Sequence, residues 1–551
     1  MKQKKEFSIF FILIGLSLFL CYPFFNGYIN IMDDMPFHLN RIMSLADNLK
    51  AGEILPTVYG NSLAGYGYAN GLFYPDLFLY IPAIFVCMGL SLVQSYGLFI
   101  FLITIATSIT TFISVKSIMD INKRNEIIKG DMFTYSEKVS LLTTIVYLTF
   151  PYRLIDIYIR GALGEILVFI FIPVVIWGLY EIFHNEDGSW KILTIGMVGL
   201  LYSHLITLFL MAIIVFIFTL LNYKKIKNVI GKLFKATMFS ILISSMFLLP
   251  MLEQILNNDF YFNIYKPLGE IYENSFNLFN ITNQIFLVIL NILIISVIVF
   301  IYIKIKNEDN KIVLTSLLLG LYLCLITTNL FPWKLINEIF PIIGQVQFPW
   351  RLFMFVGGLF GIANAVKILD IFEKMSFKIP LLITLFFSMI IAYFCINPII
   401  QLNDLSKSYN YIPRTEEVGK GEYFPSKFVI DYLYEKKITV KDINNKEIEY
   451  QYNKDVNKAT LVFNSKYDNL DLELPIIYYK GYKASINDKE LKLYENDKGL
   501  VTINTDIFNE GTIHIEYEHS LIQIISYILT FISFVLFVIP LDKYKTKIIN
   551  R

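Results

Sequence analysis

The chain has 551 residues, of which 55% are hydrophobic and 17% charged, and its formal net charge is +1. Its apolar residues come in blocks of about 20, the length that crosses a hydrocarbon core about 30 Å thick, so the composition excludes an ordinary soluble domain. Nothing in the charge balance points to nucleic acid, and no nucleic-acid partner is predicted.

The apolar blocks predict about twelve membrane-spanning helices. The first block, 7–25, follows three lysines and lacks a small-residue cleavage site, so it predicts an uncleaved span. The block 191–222 is too long for one crossing and predicts two short helices broken around Tyr202–Leu205. The other candidate spans lie at 94–117, 139–157, 165–183, 235–253, 283–303, 311–329, 352–372, 378–397 and 520–541.

Basic breaks between the blocks predict the orientation of the chain. Lys and Arg cluster after Ser117, Asn222, Phe300 and Leu541, and the positive-inside rule places these breaks and the N-terminus in the cytoplasm. The segments that then face outward are 30–93, 152–164, 254–282, 330–351 and 398–519.

This count requires that one apolar piece, Leu72–Leu90, does not cross the membrane. Pro75, Asp76 and Pro82 interrupt it and it is rich in Tyr and Phe, which predicts an interfacial helix on the outer face. An ordinary short span is the alternative, and it would invert the orientation of the next loop.

Residues 398–519 lose the long apolar runs, and short segments with a period of two replace them. This pattern predicts an antiparallel, sandwich-like β domain outside the cytoplasm. Candidate strands are Ala459–Phe463, Glu490–Tyr494, Leu500–Asn504 and Thr512–Tyr517, with turns at 487–488, 497–499 and 509–511. The predicted organisation is a transmembrane domain over 1–397 with an outer loop at 30–93, the β domain over 398–519, and a last span with a basic cytoplasmic tail over 520–551.

Charged residues gather just after the first predicted span. Asp33, Asp34, His38 and Arg41 lie there, and Gly65-Tyr-Gly-Tyr68 follows in the same outer loop. Carboxylates at this boundary suit a base with a raised pKa or a divalent-cation site. A solvated loop with an interfacial anchor is the alternative.

A second charged group lies at another predicted outer boundary. Arg153, Asp156, Arg160 and Glu165 flank an apolar segment that continues into a span. Charges near lipid are costly unless they pair or face a cavity. A purely structural ion-pair network is the alternative to a binding site.

Two further positions are candidates for binding an anionic ligand. Arg351 opens the span near Leu352 and offers a forked donor for phosphate, with Trp350 beside it, although a Trp/Arg interfacial anchor gives the same pattern. His204 lies between two apolar half-helices, and a His satisfied by a neighbouring carbonyl is the alternative there. The sequence contains no Walker loop, no Gly-rich dinucleotide motif and no zinc-spaced His/Cys set.

The order of these features resembles the GT-C superfamily of membrane glycosyltransferases, which use polyprenyl-phosphate sugars. Asp34-Met-Pro-Phe-His38, Arg160-Gly-Ala-Leu-Gly-Glu165, Ser203-His204 and Phe348-Pro-Trp-Arg351 are similar to bacterial membrane proteins labelled 6-pyruvoyl-tetrahydropterin synthase-related. Pro475–Ala484 resembles part of the β domain of YfhO-type proteins, with Tyr482 where those proteins usually have Trp. Nothing in the sequence suggests a soluble pterin enzyme.

The resemblance implies transfer of a sugar from a polyprenyl-phosphate donor to a cell-envelope acceptor, which would be a glycan, a teichoic acid or a protein, on the outer face of the cell membrane. It assigns the role of general base or metal ligand to Asp34, with Asp33 the less favoured choice, and it allows a divalent cation, Mg²⁺ or Mn²⁺, as the one cofactor. The complete predicted site has Asp34, Asp33 and His38 as catalytic candidates and Arg41, Arg160, Glu165, His204, Trp350 and Arg351 as ligands of the lipid phosphate.

Two other classes of function fit the same pattern. A flippase or transporter of lipid-linked saccharides would also place charges in outer cavities, but it more often has charges in mid-span or broken helices in matching halves. A non-catalytic envelope scaffold is supported only by the size and aromatic content of the β domain.

Overall fold

The computed structural model describes residues 2–29, 31, 33–121, 132–261, 311–402, 423–428 and 440–539. The predicted span at 283–303 and the basic C-terminal tail lie outside these residues. Helices make up most of the described chain, and β-strands are concentrated in its C-terminal part.

The helices are given in chain order. They are α1 (Lys2–Phe25), α2 (Met35–Lys50), α3 (Asn70–Phe73), α4 (Tyr80–Cys87), α5 (Leu92–Ile121), α6 (Tyr135–Leu148), α7 (Pro151–Ile155), α8 (Leu163–His184), α9 (Trp190–Leu201), α10 (Leu205–Leu221), α11 (Ile226–Ile243), α12 (Ser245–Asn257), α13 (Lys311–Ile326), α14 (Trp333–Ile339), α15 (Phe353–Ile371), α16 (Lys378–Leu402) and α17 (Leu521–Val538).

Six stretches of the described chain are long and apolar enough to cross a membrane. They are Lys5–Phe25, Leu92–Ile121, Leu163–His184, Pro349–Ile371, Lys378–Asn397 and Leu521–Val538. A further pair, Leu205–Leu221 and Tyr223–Ile243, meets at a bend of 79° and counts as a seventh if it forms one span. The prediction of a helical membrane protein is confirmed at this level of about six candidate spans.

Three of the predicted apolar blocks are each divided into two helices in the structure. The predicted break in 191–222 is confirmed, because α9 ends at Leu201 and α10 begins at Leu205. A single helix over 139–157 is wrong, because α6 ends at Leu148 and α7 begins at Pro151. The 235–253 block is likewise divided, with α11 ending at Ile243 and α12 beginning at Ser245.

The apolar piece predicted to lie at the interface is short in the structure. Its helical part, Leu77–Cys87, has 11 residues and is therefore about 16 Å long, roughly half the thickness of a hydrocarbon core. This length favours a segment that does not cross, and its interfacial position stays a prediction.

The chain forms two compact units. The first unit comprises Met1–Met35, Tyr96–Met238 and Pro267–Tyr409, and the second comprises Pro36–Ser95, Phe239–Lys266 and Asn410–Arg551. Each unit is assembled from segments that are far apart in sequence, and the predicted domain boundaries stay a prediction.

Close helix packing in the first unit depends on small residues. A Cβ atom added at Gly178 of α8 would lie 2.5 Å from the backbone nitrogen of Leu193 in α9, and one added at Gly196 would lie 2.6 Å from the Val175 side chain. Such distances are too short for a Cβ atom, so only glycine fits at these two positions without a shift of the helices. Small residues bring helices together in this way where lipid removes the hydrophobic drive for association.

The second unit contains the β-strands. They are β1 (Lys441–Asp442), β2 (Glu449–Asp455), β3 (Lys458–Asn464), β4 (Asp471–Ile477), β5 (Tyr482–Ile486), β6 (Lys489–Glu490), β7 (Leu493–Glu495), β8 (Leu500–Asn504) and β9 (Glu510–Tyr517). They form a four-stranded sheet, β1-β4-β8-β7, and a five-stranded sheet, β2-β3-β9-β5-β6, with antiparallel pairing throughout. Inward side chains of both sheets, such as Leu472 and Ile515, belong to one buried core.

The predicted antiparallel β domain is thus confirmed, with its strands mostly where the period-two pattern placed them. The exception is Glu490–Tyr494, which the structure divides between β6 and β7. The turn at 487–488 is confirmed, because Asn487 and Asp488 both have positive φ angles, of 49° and 64°, as a tight two-residue hairpin requires.

Within the second unit, α12 anchors the β-sheets to helices. The Gln254 side chain donates to the Lys480 carbonyl at 2.7 Å and accepts from the Lys480 backbone nitrogen at 3.1 Å, as a neighbouring strand would. Ser520 caps α17 and donates its hydroxyl to Glu253. The loop between β4 and β5 and the start of α17 are therefore both fixed to one turn of α12.

Candidate functional site

Glu165, at the start of α8, is the centre of a buried charged cluster in the first unit. Its side chain is only 2% exposed, and its carboxylate accepts from two arginines. Oε1 receives Nε of Arg351 at 2.9 Å and Nη2 of Arg160 at 3.0 Å, while Oε2 receives Nη1 of Arg160 at 3.0 Å and the Tyr152 hydroxyl at 2.5 Å. We call Asp34, Tyr152, Asp156, Arg160, Glu165 and Arg351 the Glu165 cluster.

Arg160 binds three carboxylates of this cluster. Besides Glu165, its Nη1 donates to Asp156 Oδ1 at 2.7 Å, and its Nη2 lies 3.6 Å from Asp34 Oδ2. The guanidinium is thus held from several sides. Arginine suits this position because its planar fork bonds carboxylates in pairs and keeps its charge.

A break between α6 and α7 brings Tyr152, Asp156 and Arg160 onto the cluster. The chain leaves α6 at Leu148, restarts with Pro151 at the first turn of α7 and continues as one π-helical turn over Asp156–Arg160. Fully buried Arg153 stabilises the break, because its Nη1 donates to the Leu148 carbonyl at 2.9 Å and its Nη2 to Thr104 Oγ1 at 2.9 Å. A cation is favourable at these last carbonyls of a helix.

Glycine at position 161 lets Asp34 approach the cluster. Gly161 has a φ of +60°, and a Cβ there would lie 2.7 Å from the Met35 side chain. The close approach allows the Asp34 backbone nitrogen to donate to the Arg160 carbonyl at 3.0 Å. Asp34 is therefore fixed through its main chain while its side chain stays accessible.

Arg351 reaches the cluster from a short 3₁₀ turn, Pro349–Leu352, that precedes α15. Its Nη1 donates to the Val346 carbonyl at 2.7 Å and to Gln347 Oε1 at 3.0 Å, and its Nε is taken by Glu165. Among the residues that the structure describes, no contact is found for the remaining nitrogen, Nη2. One donor of a buried, fixed guanidinium is therefore available for a ligand.

Asp34 is the most accessible carboxylate of the cluster, with 51% of its side chain exposed. Its pKa is raised above the ordinary value of 3.8, mainly by partial desolvation, while Arg160 acts in the opposite direction and Glu165 raises the pKa further. A carboxylate with this shift is a better proton acceptor near neutral pH than a fully solvated one.

A divalent cation at Asp34 is poorly matched by the surrounding side chains. Its carboxylate pairs with the Arg160 guanidinium at 3.6 Å, whereas Mg²⁺ and Mn²⁺ need several oxygen ligands at about 2 Å. In the described part of the chain, no group of three or more His, Cys, Asp or Glu side chains is arranged to hold a metal ion. The described residues do not fit the predicted Mg²⁺ or Mn²⁺ site.

His204 and Trp350 lie in the same unit as the cluster. His204 is buried, shares a hydrogen bond of 2.8 Å with Thr207 Oγ1, and is within electrostatic range of Arg351 and Glu165. Trp350 stacks on Phe348 with ring centroids 4.5 Å apart, and the Arg351 guanidinium lies 5.1 Å above the Phe348 ring. Their roles as ligands stay predictions.

His38 and Arg41 belong to the second unit, where Arg41 is engaged in another network. Its Nη2 pairs with Asp76, which also accepts from the Tyr59 hydroxyl, and its guanidinium lies 4.0 Å over the Tyr74 ring. His38 shares a hydrogen bond of 3.3 Å with Arg41 Nη1. Asp33 is exposed beside Asp34 and adopts a positive φ of 49°.

The structure adds Tyr152 and Asp156 to the predicted site. Both residues lie in the charged segment that the sequence analysis identified. Their spacing from Glu165 in the sequence did not indicate that they would contact the cluster. Asp156 is fully buried, and its Oδ2 atom has no hydrogen-bond partner among the described residues. A buried oxygen without a partner is a costly feature, and each one in a native structure requires an explanation.

Comparison with known proteins finds an uncharacterized relative and no matching family model. No protein-family model matches the sequence. A protein of Lactococcus lactis subsp. cremoris (strain MG1363), described only as an uncharacterized protein, is 25% identical over 613 aligned positions, which cover 99% of this chain and 97% of that protein. The similarity extends over the whole length of both chains.

Proposed function

We propose that this protein is a glycosyltransferase that moves a sugar from a polyprenyl-phosphate-linked donor to a cell-envelope acceptor. The observation that carries the proposal is the Glu165 cluster. It combines an accessible carboxylate with a raised pKa, Asp34, and a fixed guanidinium with an available donor, Arg351. Sugar transfer from a lipid phosphate needs both groups.

In the proposed reaction, the acceptor hydroxyl attacks the anomeric carbon and its oxygen forms the new glycosidic bond. The bond from that carbon to the phosphate oxygen breaks, and the phosphate leaves with the electron pair. Asp34 takes the proton of the attacking hydroxyl. Direct displacement inverts the anomeric centre.

The two arginines have different roles in this scheme. Nη2 of Arg351 donates to the departing phosphate, whose charge grows as the bond breaks. Arg160 is already bonded to Asp156 and Glu165, and it also pairs with Asp34. In this scheme it holds the Asp34 carboxylate in place and favours its ionised form. Glu165 fixes both guanidinium groups so that little reorganisation accompanies the reaction.

The finer membrane arrangement belongs to the same proposal. About twelve helices cross the membrane, the Glu165 cluster lies at its outer boundary, and the β domain is extracytoplasmic. The apolar helices and the basic breaks between the blocks support this arrangement.

A transfer assay without compartments tests the function. Purified protein in detergent is incubated with radiolabelled polyprenyl-phosphate sugar and candidate envelope acceptors, with protein lacking the Asp34 carboxylate as the control. Labelled acceptor should form far faster with the unchanged protein than with the control. A protein that moves the labelled lipid across vesicle membranes but forms no product in detergent would be a transporter instead.

Accessibility of position 33 tests the orientation. Asp33→Cys, in a background with exposed Cys87 replaced by Ser, should react with a membrane-impermeant maleimide added to intact cells. The matched control is Asp187→Cys in the exposed turn between α8 and α9, which should react only after the cells are opened. Labelling of position 33 only in opened cells would contradict an outward-facing site.

A further inference from the structure

The loop Tyr59–Tyr68 in the second unit contains the Gly65-Tyr-Gly-Tyr68 motif. Two main-chain hydrogen bonds close it, from the Tyr59 nitrogen to the Tyr68 carbonyl at 2.8 Å and from the Tyr68 nitrogen to the Tyr59 carbonyl at 3.1 Å. Gly65 and Gly67 have φ angles of +96° and +87°, which favour glycine. The motif is therefore a shaped turn with a fixed path.

A lysine of the β-sheet extends to this turn. Lys454 and Tyr452 stand two residues apart on β2 and so share one face of the sheet. The Lys454 amine donates to the Gly65 carbonyl. Among the described residues, no carboxylate lies within 4 Å of this amine, which makes it a cation without a counter-ion.

Two tyrosine hydroxyls near the turn also lack partners. The hydroxyl oxygens of Tyr452 and Tyr482 are buried and have no hydrogen-bond partner in the described part of the chain. Tyr482 as a whole is only 8% exposed. A buried donor without an acceptor costs about 1–3 kcal/mol, so two such hydroxyls beside an amine without a counter-ion require an explanation.

Gly67 leaves open the space between the amine and the Tyr482 hydroxyl. A Cβ added there would lie 3.5 Å from the Tyr482 hydroxyl oxygen and 3.7 Å from Lys454 Nζ. Both donors therefore border the same small volume. Ala64 is exposed and Gly65 partly so, which places this volume just beneath the surface.

We propose that Lys454, Tyr482 and the turn around Gly67 form a binding site for a small oxyanion, a phosphate or carboxylate group. Such a group supplies the acceptor oxygens and the negative charge that the amine and the hydroxyl lack. Tyr452, on the same face as Lys454, is the next donor available. The site lies in the second unit and does not depend on the proposed glycosyltransferase reaction.

The ionisation of Lys454 agrees with this geometry. Burial lowers the pKa of its amine to about 7, and a bound anion would raise this pKa by favouring the charged form. The other titratable groups that act on the Tyr482 hydroxyl are Tyr479, Tyr517, Tyr452 and Glu53, and Tyr66 acts on Tyr452. Anion affinity should therefore fall as the pH rises through about 7 and the amine loses its proton.

Isothermal titration of the purified full-length protein with sulfate tests the proposal. Sulfate keeps its charge across neutral pH, so a change of affinity reports on the protein. Saturable binding at about pH 6 should weaken by about 30-fold at about pH 8.5, because the protonated fraction of an amine with a pKa of about 7 falls by that factor. Lys454→Met should abolish it, and Tyr482→Phe, which keeps the ring, should weaken it several-fold.

The matched control is Lys458→Met, on exposed Lys458 of β3, whose side chain is 75% accessible. It should bind sulfate as the unchanged protein does. Equal affinity in Lys454→Met and Lys458→Met, or no saturable binding by the unchanged protein, would overturn the proposal. Repeating the titration in nanodiscs with and without phosphatidylglycerol identifies the source of the anion, because a lipid headgroup would compete with sulfate and a soluble anion would not.

Discussion

Replacing Asp34 by Asn should lower the rate of sugar transfer by about 10²–10⁴-fold, the usual contribution of a general base. The substitution keeps the size of the side chain and removes its ability to accept a proton. Because Asp34 is held by its own backbone nitrogen, the variant should fold and insert normally. The rate of labelled-product formation in detergent, normalised to folded protein, is the measurement.

The dependence of the rate on pH gives an independent check. The pKa of Asp34 is raised by burial, so the carboxyl group becomes protonated, and inactive as a base, at a higher pH than a solvated Asp. The rate should therefore fall as the pH is lowered, with a midpoint above the ordinary 3.8. The residual rate of the Asp34→Asn variant should not show this fall at low pH.

Asp33→Asn distinguishes the two neighbouring carboxylates. Asp33 is exposed, and among the described residues no hydrogen bond or ion pair joins it to the Glu165 cluster. It acts on Asp34 only through its charge, which is the last of the causes that shift the Asp34 pKa, so its replacement should change the rate only a few-fold. A loss with Asp33→Asn as large as that with Asp34→Asn would show that the assignment of the base to Asp34 is wrong.

Local patterns predicted the elements whose structure depends on neighbours in sequence. The strand Thr512–Tyr517 was predicted from a period-two pattern, and buried Ile513 and Ile515 do alternate with exposed His514. Leu500–Asn504 was predicted from the same pattern, but its first four residues are all buried. The break at Tyr202–Leu205 was predicted because polar Ser203 and His204 interrupt an apolar block. In both cases the signal lies within a few residues.

The break between α6 and α7 could not be predicted in the same way. Residues 139–152 contain no charged residue, and Pro151 is the one local signal against a continuous helix. The break is stabilised by Arg153, which donates to the Leu148 carbonyl and to Thr104 Oγ1. That second contact joins residues 49 positions apart. A pattern of hydropathy contains no information about such a partner.

The sequence predicted which charged residues belong to the candidate site, but it did not predict which carboxylate pairs with which arginine. The sequence placed Asp34, Arg160, Glu165 and Arg351 at helix boundaries, and the first unit brings all four together. Which carboxylate binds which arginine depends on packing, since Glu165 and Arg351 are 186 residues apart. For the same reason, nothing in the sequence showed that Arg41 would pair with Asp76 in the second unit.

Replacing Glu165 by Gln should destabilise the folded protein by about 3–5 kcal/mol, the cost of breaking a buried ion pair by removing one partner. The carboxylate bonds both Arg160 and Arg351, so its loss leaves two largely buried guanidinium groups short of charge. The amide can accept at one oxygen only and turns an NH₂ group toward the donors. Thermal unfolding in detergent, followed by the loss of monodisperse protein after heating, is the measurement.

The matched control is Asp120→Asn in α5, which breaks the partly exposed pair of Lys116 and Asp120. A pair of this kind contributes about 0.3–0.5 kcal/mol, so this variant should unfold close to the temperature of the unchanged protein. If Glu165→Gln unfolds there too, the cluster does not hold the first unit together. Loss of the Glu165 carboxylate would then leave the two arginines without a measurable energetic penalty. Guanidinium groups fixed by Glu165 could no longer explain how the site stabilises a departing phosphate.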